Sequence, residues 1–245
     1  MQIMGDGCSG ALNIKGGATA TGSSLYVYGE AAAVSLAENS KLDVDDLVIT
    51  KKGSLVNDGV LEGSLTLENK AVASGTGTFD VTQIKSNSTL IVGTLNADGS
   101  VSAGSQTHKG SLTLDADSII TFAINDFGSA DNSMLTLSET ATFNVEEGVE
   151  VRLYLSDAAI ERTKTMERDI SLCLINRENG DGSAFVPFAN SIEVYNSHGD
   201  VVDDITFAGA VDENGKLVIN LVPEPTTATL SLLALAGLAA RRRRS

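Results

Sequence analysis

The sequence predicts an all-β chain built as a β-solenoid, on three observations. Short runs of alternating apolar residues recur from Leu25 onward, separated by Gly, Asn, Asp or Lys. Aromatic residues make up only 4% of 245 residues and Trp is absent, so the core cannot rest on large rings as a compact domain's core does. Internal repetition is visible: Gly63-Ser64-Leu65-Thr66-Leu67 returns as Gly110-Ser111-Leu112-Thr113-Leu114, and Lys52-Gly53-Ser54-Leu55 parallels Lys109-Gly110-Ser111-Leu112. An antiparallel sandwich also gives short alternating strands. Repetition and few aromatics favour stacked coils, none of which buries its face alone.

The elements follow in order. Strands are predicted at Leu25–Tyr28, Ala33–Leu36, Lys41–Val44, Leu47–Ile49, Ser54–Val56, Ser64–Leu67, Thr89–Val92 and Ser111–Leu114, with turns at Asn57-Asp58-Gly59 and Ala97-Asp98-Gly99. From Ser118 the runs lengthen, at Ile119–Ile124, Met134–Leu137, Ala141–Val145 and Val149–Leu155. Ser156 to Arg168 reads as the one short helix, capped by Ser156 or Asp157. A strand at Ile170–Ile175 and an irregular segment with Pro187 come next. A hairpin then pairs Ile205–Ala208 with Lys216–Leu221, turning at Asn214-Gly215. This last region suits a cap over the open end of the solenoid, where strand edges are otherwise unpaired. Between Lys109 and Leu155 a Gly-Ser-Leu-Thr-Leu strand, an acidic turn, a Thr-Phe-Ala-Ile strand, an Asp-Asn turn and a Leu-Thr-Leu strand resemble the repeats near the C-terminal end of autotransporter-type passenger domains. The resemblance implies a right-handed parallel β-helix.

Composition bounds the chemistry. The net charge is -15, and four of the 17 cations are the terminal Arg241, Arg242, Arg243 and Arg244. A body this acidic repels nucleic acid and anionic lipid. Cys8 and Cys173 form neither a disulfide framework nor a CxxC motif. Cys173 reads as a small core residue and Cys8 as a loop thiol. His108 and His198 are too few for a multi-histidine metal site and read as exposed turn residues. No nucleophile elbow and no phosphate-binding loop is present, so no catalytic residue, metal or cofactor is assigned. The sharpest acidic cluster is Asp43-Val44-Asp45-Asp46. On a strand, Asp43 and Asp45 would share a face, as acid/base or calcium sites of β-helix enzymes require, although a solvated face explains them as well.

The tail is the most specific feature. Pro223-Glu224-Pro225 cannot continue a strand ladder. Thr226 to Ala240 is uncharged and rich in Ala and Leu, and as a helix it would reach roughly 22 Å, short of a bilayer core of about 30 Å. It has no polar stripe, and Arg241, Arg242, Arg243 and Arg244 close it as a cytoplasmic stop cluster. Val222-Pro223-Glu224-Pro225, the short apolar segment and the Arg cluster resemble the PEP-CTERM sorting signal of Gram-negative bacteria. The resemblance implies processing by an exosortase-type membrane protease near the Pro-Glu-Pro motif, transient residence in the inner membrane, and delivery to the cell surface or extracellular matrix, often beside exopolysaccharide. Such proteins also carry an N-terminal secretory signal, and Met1-Gln2-Ile3-Met4-Gly5-Asp6-Gly7 is not one. An upstream segment is therefore expected.

The expected organisation is a solenoid at 1–155, a β-rich cap with one helix at 156–221, and a sorting signal with a hydrophobic helix at 222–245. The expected role is structural or adhesive and non-enzymatic, with extracellular polysaccharide as a partner. The alternatives are a secreted polysaccharide-acting enzyme and a functionless fragment of an adhesin-like gene.

Overall fold

The computed structural model describes residues 1–4, 10–127, 131–165, 171–177, 192–211 and 217–222. Cys8, the segment around Pro187, the turn predicted at Asn214-Gly215 and everything from Pro223 onward lie outside the described residues.

The chain is mostly β, and from β2 onward it alternates between two sheets. After β1 (Gln2–Met4), β2 (Ala11–Ile14) lies in the smaller sheet and β3 (Thr19–Tyr28) in the larger. The pairs β4 (Ala33–Leu36) with β5 (Lys41–Thr50), and β6 (Ser54–Asn57) with β7 (Val60–Leu67), repeat that step. The next circuit is β8 (Val72–Ser74), β9 (Thr78–Phe79) and β10 (Val81–Ile84). Then β11 (Thr89–Leu95) is doubled back on by β12 (Val101–Ala103) before β13 (Ser105–His108) and β14 (Leu112–Leu114). The following circuit is β15 (Ile119–Ile124), β16 (Met134–Leu137) and β17 (Phe143–Val145). After β18 (Glu150–Leu155) comes α1 (Asp157–Thr165), then β19 (Ser171–Arg177), β20 (Ile192–Asn196), β21 (Thr206–Val211) and β22 (Leu217–Val222).

Strand-to-strand pairing from circuit to circuit is parallel. Leu12 sits beside Val34, Val34 beside Leu55, Leu55 beside Ala73 and Ala73 beside Leu90, so a column of apolar side chains forms along the smaller sheet. In the larger sheet Leu25, Leu47 and Leu65 stack, as do Val27, Ile49 and Leu67. Those larger-sheet columns are almost fully buried. Aliphatic side chains that meet their own kind at each rung build a continuous core without large rings, which is how 4% aromatics suffice.

The larger sheet is folded along its length. In β5, Leu42 and Val44 point inward, Asp45 and Asp46 are both exposed, and Leu47 and Ile49 point inward again. The extra outward residue resets the alternation, as a bulge at a corner does. At this corner Gly63 of β7 has φ 94, and a Cβ there would lie 1.7 Å from the Val44 carbonyl oxygen. Past the corner the two halves separate into distinct strands: Val60 pairs with Thr78 of β9, while Leu65 pairs with Thr82 of β10.

The sequence repeats sort accordingly. Leu65 stacks on Thr82 and Thr82 on Leu112, so the two Gly-Ser-Leu-Thr-Leu segments occupy the same ladder with one rung between them. Ser54-Leu55 enters the smaller sheet, whereas Leu112 lies in the larger, so the Lys-Gly-Ser-Leu pair is not equivalent.

The expected helix is present as α1, with Ser156 as its N-cap, since the Ala159 N–H donates to Ser156 Oγ at 3.1 Å. The expected hairpin is antiparallel β21–β22, and β22 also pairs antiparallel with β19. Cys173 differs from its core reading: Leu172 and Leu174 are buried, and Cys173 between them faces outward, partly exposed.

Candidate sorting junction and polar clusters

The last strand ends where the tail motif begins. β22 is held on both edges, by β19 and by β21, and Val222 pairs with Thr206 at its end. Val222 is thus the final ladder residue among the described residues. Of the expected sorting signal it alone is described. Pro223, Glu224 and Pro225, the apolar segment Thr226 to Ala240, and the stop cluster of Arg241, Arg242, Arg243 and Arg244 lie outside the described residues. Among the described residues no helix is long and apolar enough to cross a membrane.

The acidic cluster divides at the corner. Asp43 and Asp45 lie outward on either side of buried Val44, as the strand alternation predicts, and the alternation breaks at the next step, where Asp45 and Asp46 are both exposed. Lys41 binds Asp43 at 3.4 Å and Glu62 at 2.6 Å, a strand-surface ion pair spanning two rungs. The hydrogen bond to Glu62, aided by Asp43, raises the Lys41 pKa above its ordinary value. Asp46 accepts a hydrogen bond from Ser64 Oγ at 2.9 Å, and Asp45 stands exposed at the corner. Among the described residues no group of three or more His, Cys, Asp and Glu side chains could hold a metal ion.

The sequence places His108 in an exposed turn, and it is instead fully buried in β13. The period-two pattern of Ser105–His108 points Gln106 and His108 inward, a placement that the turn-like residues of this segment conceal. The imidazole occupies a column position filled by Phe79 before it and Leu137 after it. It stacks on Phe79 with centroids 5.0 Å apart and planes 7° apart. Neither ring nitrogen has a hydrogen-bond partner among the described residues, and burial pushes its pKa down to about 3. Gln106 is better served: its amide donates to the Gly75 carbonyl at 2.8 Å and the Ile91 carbonyl at 2.6 Å. His198 lies in an exposed turn, as expected.

Two surface features escape a motif search. Tyr154 and Tyr195 stack across adjacent strands at 5.2 Å, with Arg152 over the Tyr195 ring at 5.6 Å. Partial burial and a hydrogen bond to Glu193 push the Tyr195 pKa up to about 12. The second feature is the turn that closes each circuit before the smaller sheet. Lys51, Lys52 and Lys70 adopt φ of 49, 67 and 67 there, beside Asn69 (55), Asn87 (61) and Asp117 (59). Their recurrence along the sequence, once per circuit of roughly twenty residues in the early part, is the signal that locates them.

Comparison of the chain with family models, with curated proteins and with solved structures finds no match, so the geometry and the sequence carry the functional reading.

Proposed function

We propose that this protein is an exported structural or adhesive component of the surface or extracellular matrix of a Gram-negative bacterium, sorted through a C-terminal PEP-CTERM signal. In this reading the alternating circuits form a right-handed parallel β-solenoid, closed by antiparallel β21 and β22. An exosortase-type membrane protease is the processing partner, the inner membrane is a transient host through Thr226 to Ala240, and extracellular polysaccharide is the expected neighbour after release. No enzymatic activity and no nucleic-acid partner are proposed.

One observation carries the reading: a Pro-Glu-Pro motif, a short uncharged Ala/Leu segment and four arginines follow one another in that order. Its context supports it, because β22 ends at Val222 and the motif follows without a linker. A segment too short for comfortable spanning and fenced by arginines fits a temporary anchor better than a lasting one.

The test is the intact mass of mature protein recovered from cells. Removal of residues from the Pro-Glu-Pro region onward supports the proposal, and a polypeptide retaining Ser245 in the cytosol overturns it. Deleting Arg241, Arg242, Arg243 and Arg244 together, or changing Pro223 and Pro225 to Ala, should leave unprocessed protein in the inner membrane.

A further inference from the structure

The turn that leads each circuit into the smaller sheet changes sign along its length. The residues two positions before Ser54, Val72, Thr89, Ile119 and Glu150 are Lys52, Lys70, Asn87, Asp117 and Gly148, and those five strand residues are register partners from rung to rung. The turns stack directly: the Lys52 N–H donates to the Asn69 carbonyl at 3.1 Å and the Asn87 N–H to the Asp117 carbonyl at 2.9 Å. One edge therefore presents lysine, lysine, asparagine, aspartate, and then Glu147 beside Gly148, on rungs about 4.8 Å apart.

The unengaged charges sit symmetrically. Lys52 already meets Glu30 at 3.0 Å. Lys70, Asp117 and Glu147 are exposed, and their side chains have no hydrogen-bond or ion-pair partner among the described residues. Lys70 and Asp117 lie one rung to either side of Asn87. Lysine gains nothing from local side-chain hydrogen bonding at positive φ, where Asn and Asp do, so what Lys70 brings to that position is its charge.

We propose that this edge is a self-complementary docking surface for a second copy of the chain. Two molecules lie side by side and antiparallel about a two-fold axis at Asn87, with Lys70 of each opposite Asp117 of the other. Lys52 then faces Glu147 of the second copy. A two-fold axis uses the same patch on both molecules, so a strip whose charge inverts about its centre is what such an interface needs. A linear polyanion would use only the basic half and would be repelled by the acidic half and by a net charge of -15. Exposed ion pairs are individually weak and are screened by salt, so the association is concentration-dependent and fades as ionic strength rises.

The experiment is sedimentation velocity on the full chain at low and at high salt, with circular dichroism as the check on folding. The expected result is a dimer at low salt that dissociates at high salt, with dimer affinity reduced at least about tenfold by Lys70→Glu or Asp117→Lys alone. The double variant carrying both substitutions should dimerise again, because the pair is restored with its sign reversed. A chain that stays monomeric at low salt overturns the proposal, as does self-association that salt and Lys70→Glu leave unchanged, which would assign it to another surface such as the apolar tail. Failure of the double variant to recover overturns the two-fold pairing. Binding of alginate, used as a polyanionic probe, by a monomeric chain in a Lys70-dependent way would replace the second copy with an acidic glycan.

Discussion

Between Ala33 and Ile84 the chain completes each circuit in roughly twenty residues, with tight corners and mostly aliphatic inward columns. From Thr89 the rungs still pair in parallel, but the connections lengthen, with β12 after β11, a longer stretch of chain between β15 and β16, and α1 after β18. The inward positions change with them. Leu42 and Leu61 stack in one column of the early circuits, and further along that column come Phe79, His108 and Leu137. Polar groups also enter the later interior: Gln106 bonds to two carbonyls, and Ser133 donates to the Val92 carbonyl while accepting from the Ala123 N–H. The early region rests chiefly on repeated aliphatic columns, although its buried Asn57 also donates to the Thr78 carbonyl at 2.9 Å and accepts from the Gly59 N–H at 3.1 Å. The later one adds further polar contacts of this kind, which serve backbone groups left without a ladder partner where the connections lengthen.

Substitutions at matched sites test that contrast. The early corner should respond most. Gly63→Val brings a Cβ against the Val44 carbonyl at a backbone conformation that valine avoids, and neither backbone can retreat without breaking the ladder. A loss of about 3–5 kcal/mol in urea unfolding is expected, and a loss under about 1 kcal/mol would show that the corner is pliable. Next comes Leu47→Ala, which empties a column position buried between Leu25 and Leu65. It should cost about 2–5 kcal/mol by the same measurement.

His108 tests the later region. Its pKa of about 3 lies below the ordinary value of 6.5, so the unfolded chain binds the proton and the folded chain does not. The histidine's contribution to stability is complete above pH 6.5 and falls as pH drops toward 3, by at most about 1.4 kcal/mol per pH unit. His108→Leu should flatten that dependence and, by removing unpartnered ring nitrogens, stabilise the fold by about 1 kcal/mol at neutral pH. Parallel pH–stability curves for the two proteins would show that the imidazole reaches solvent or a partner. Lys70→Gly should do least, since glycine suits φ 67 without strain and no side-chain bond is lost within the chain. A gain of about 0.5–1 kcal/mol in thermal unfolding is expected.

Strand positions were largely legible because period-two alternation and turn residues are local. Ile119–Ile124 and Met134–Leu137 appear with the predicted bounds, and Ser156 caps the predicted helix. Lys41–Val44 and Leu47–Ile49, predicted as two strands, form one that bends at Asp45. The corner was hidden because the glycine that permits it, Gly63, lies on the neighbouring rung. The burial of His108 was equally hidden: its column partners Phe79 and Leu137 lie a full circuit away in each direction.

Short windows of residues were enough for most of the strand inventory, the acidity of the body and the order of motif, apolar segment and arginines in the tail, since each is a property of chain neighbours. Folding in three dimensions settled which repeats are equivalent, that the Asp43 to Asp46 cluster divides at a corner, and that charges on successive turns align along one edge. Those depend on register between strands a circuit apart, and register is fixed by how buried columns match from rung to rung, which no local stretch of sequence contains.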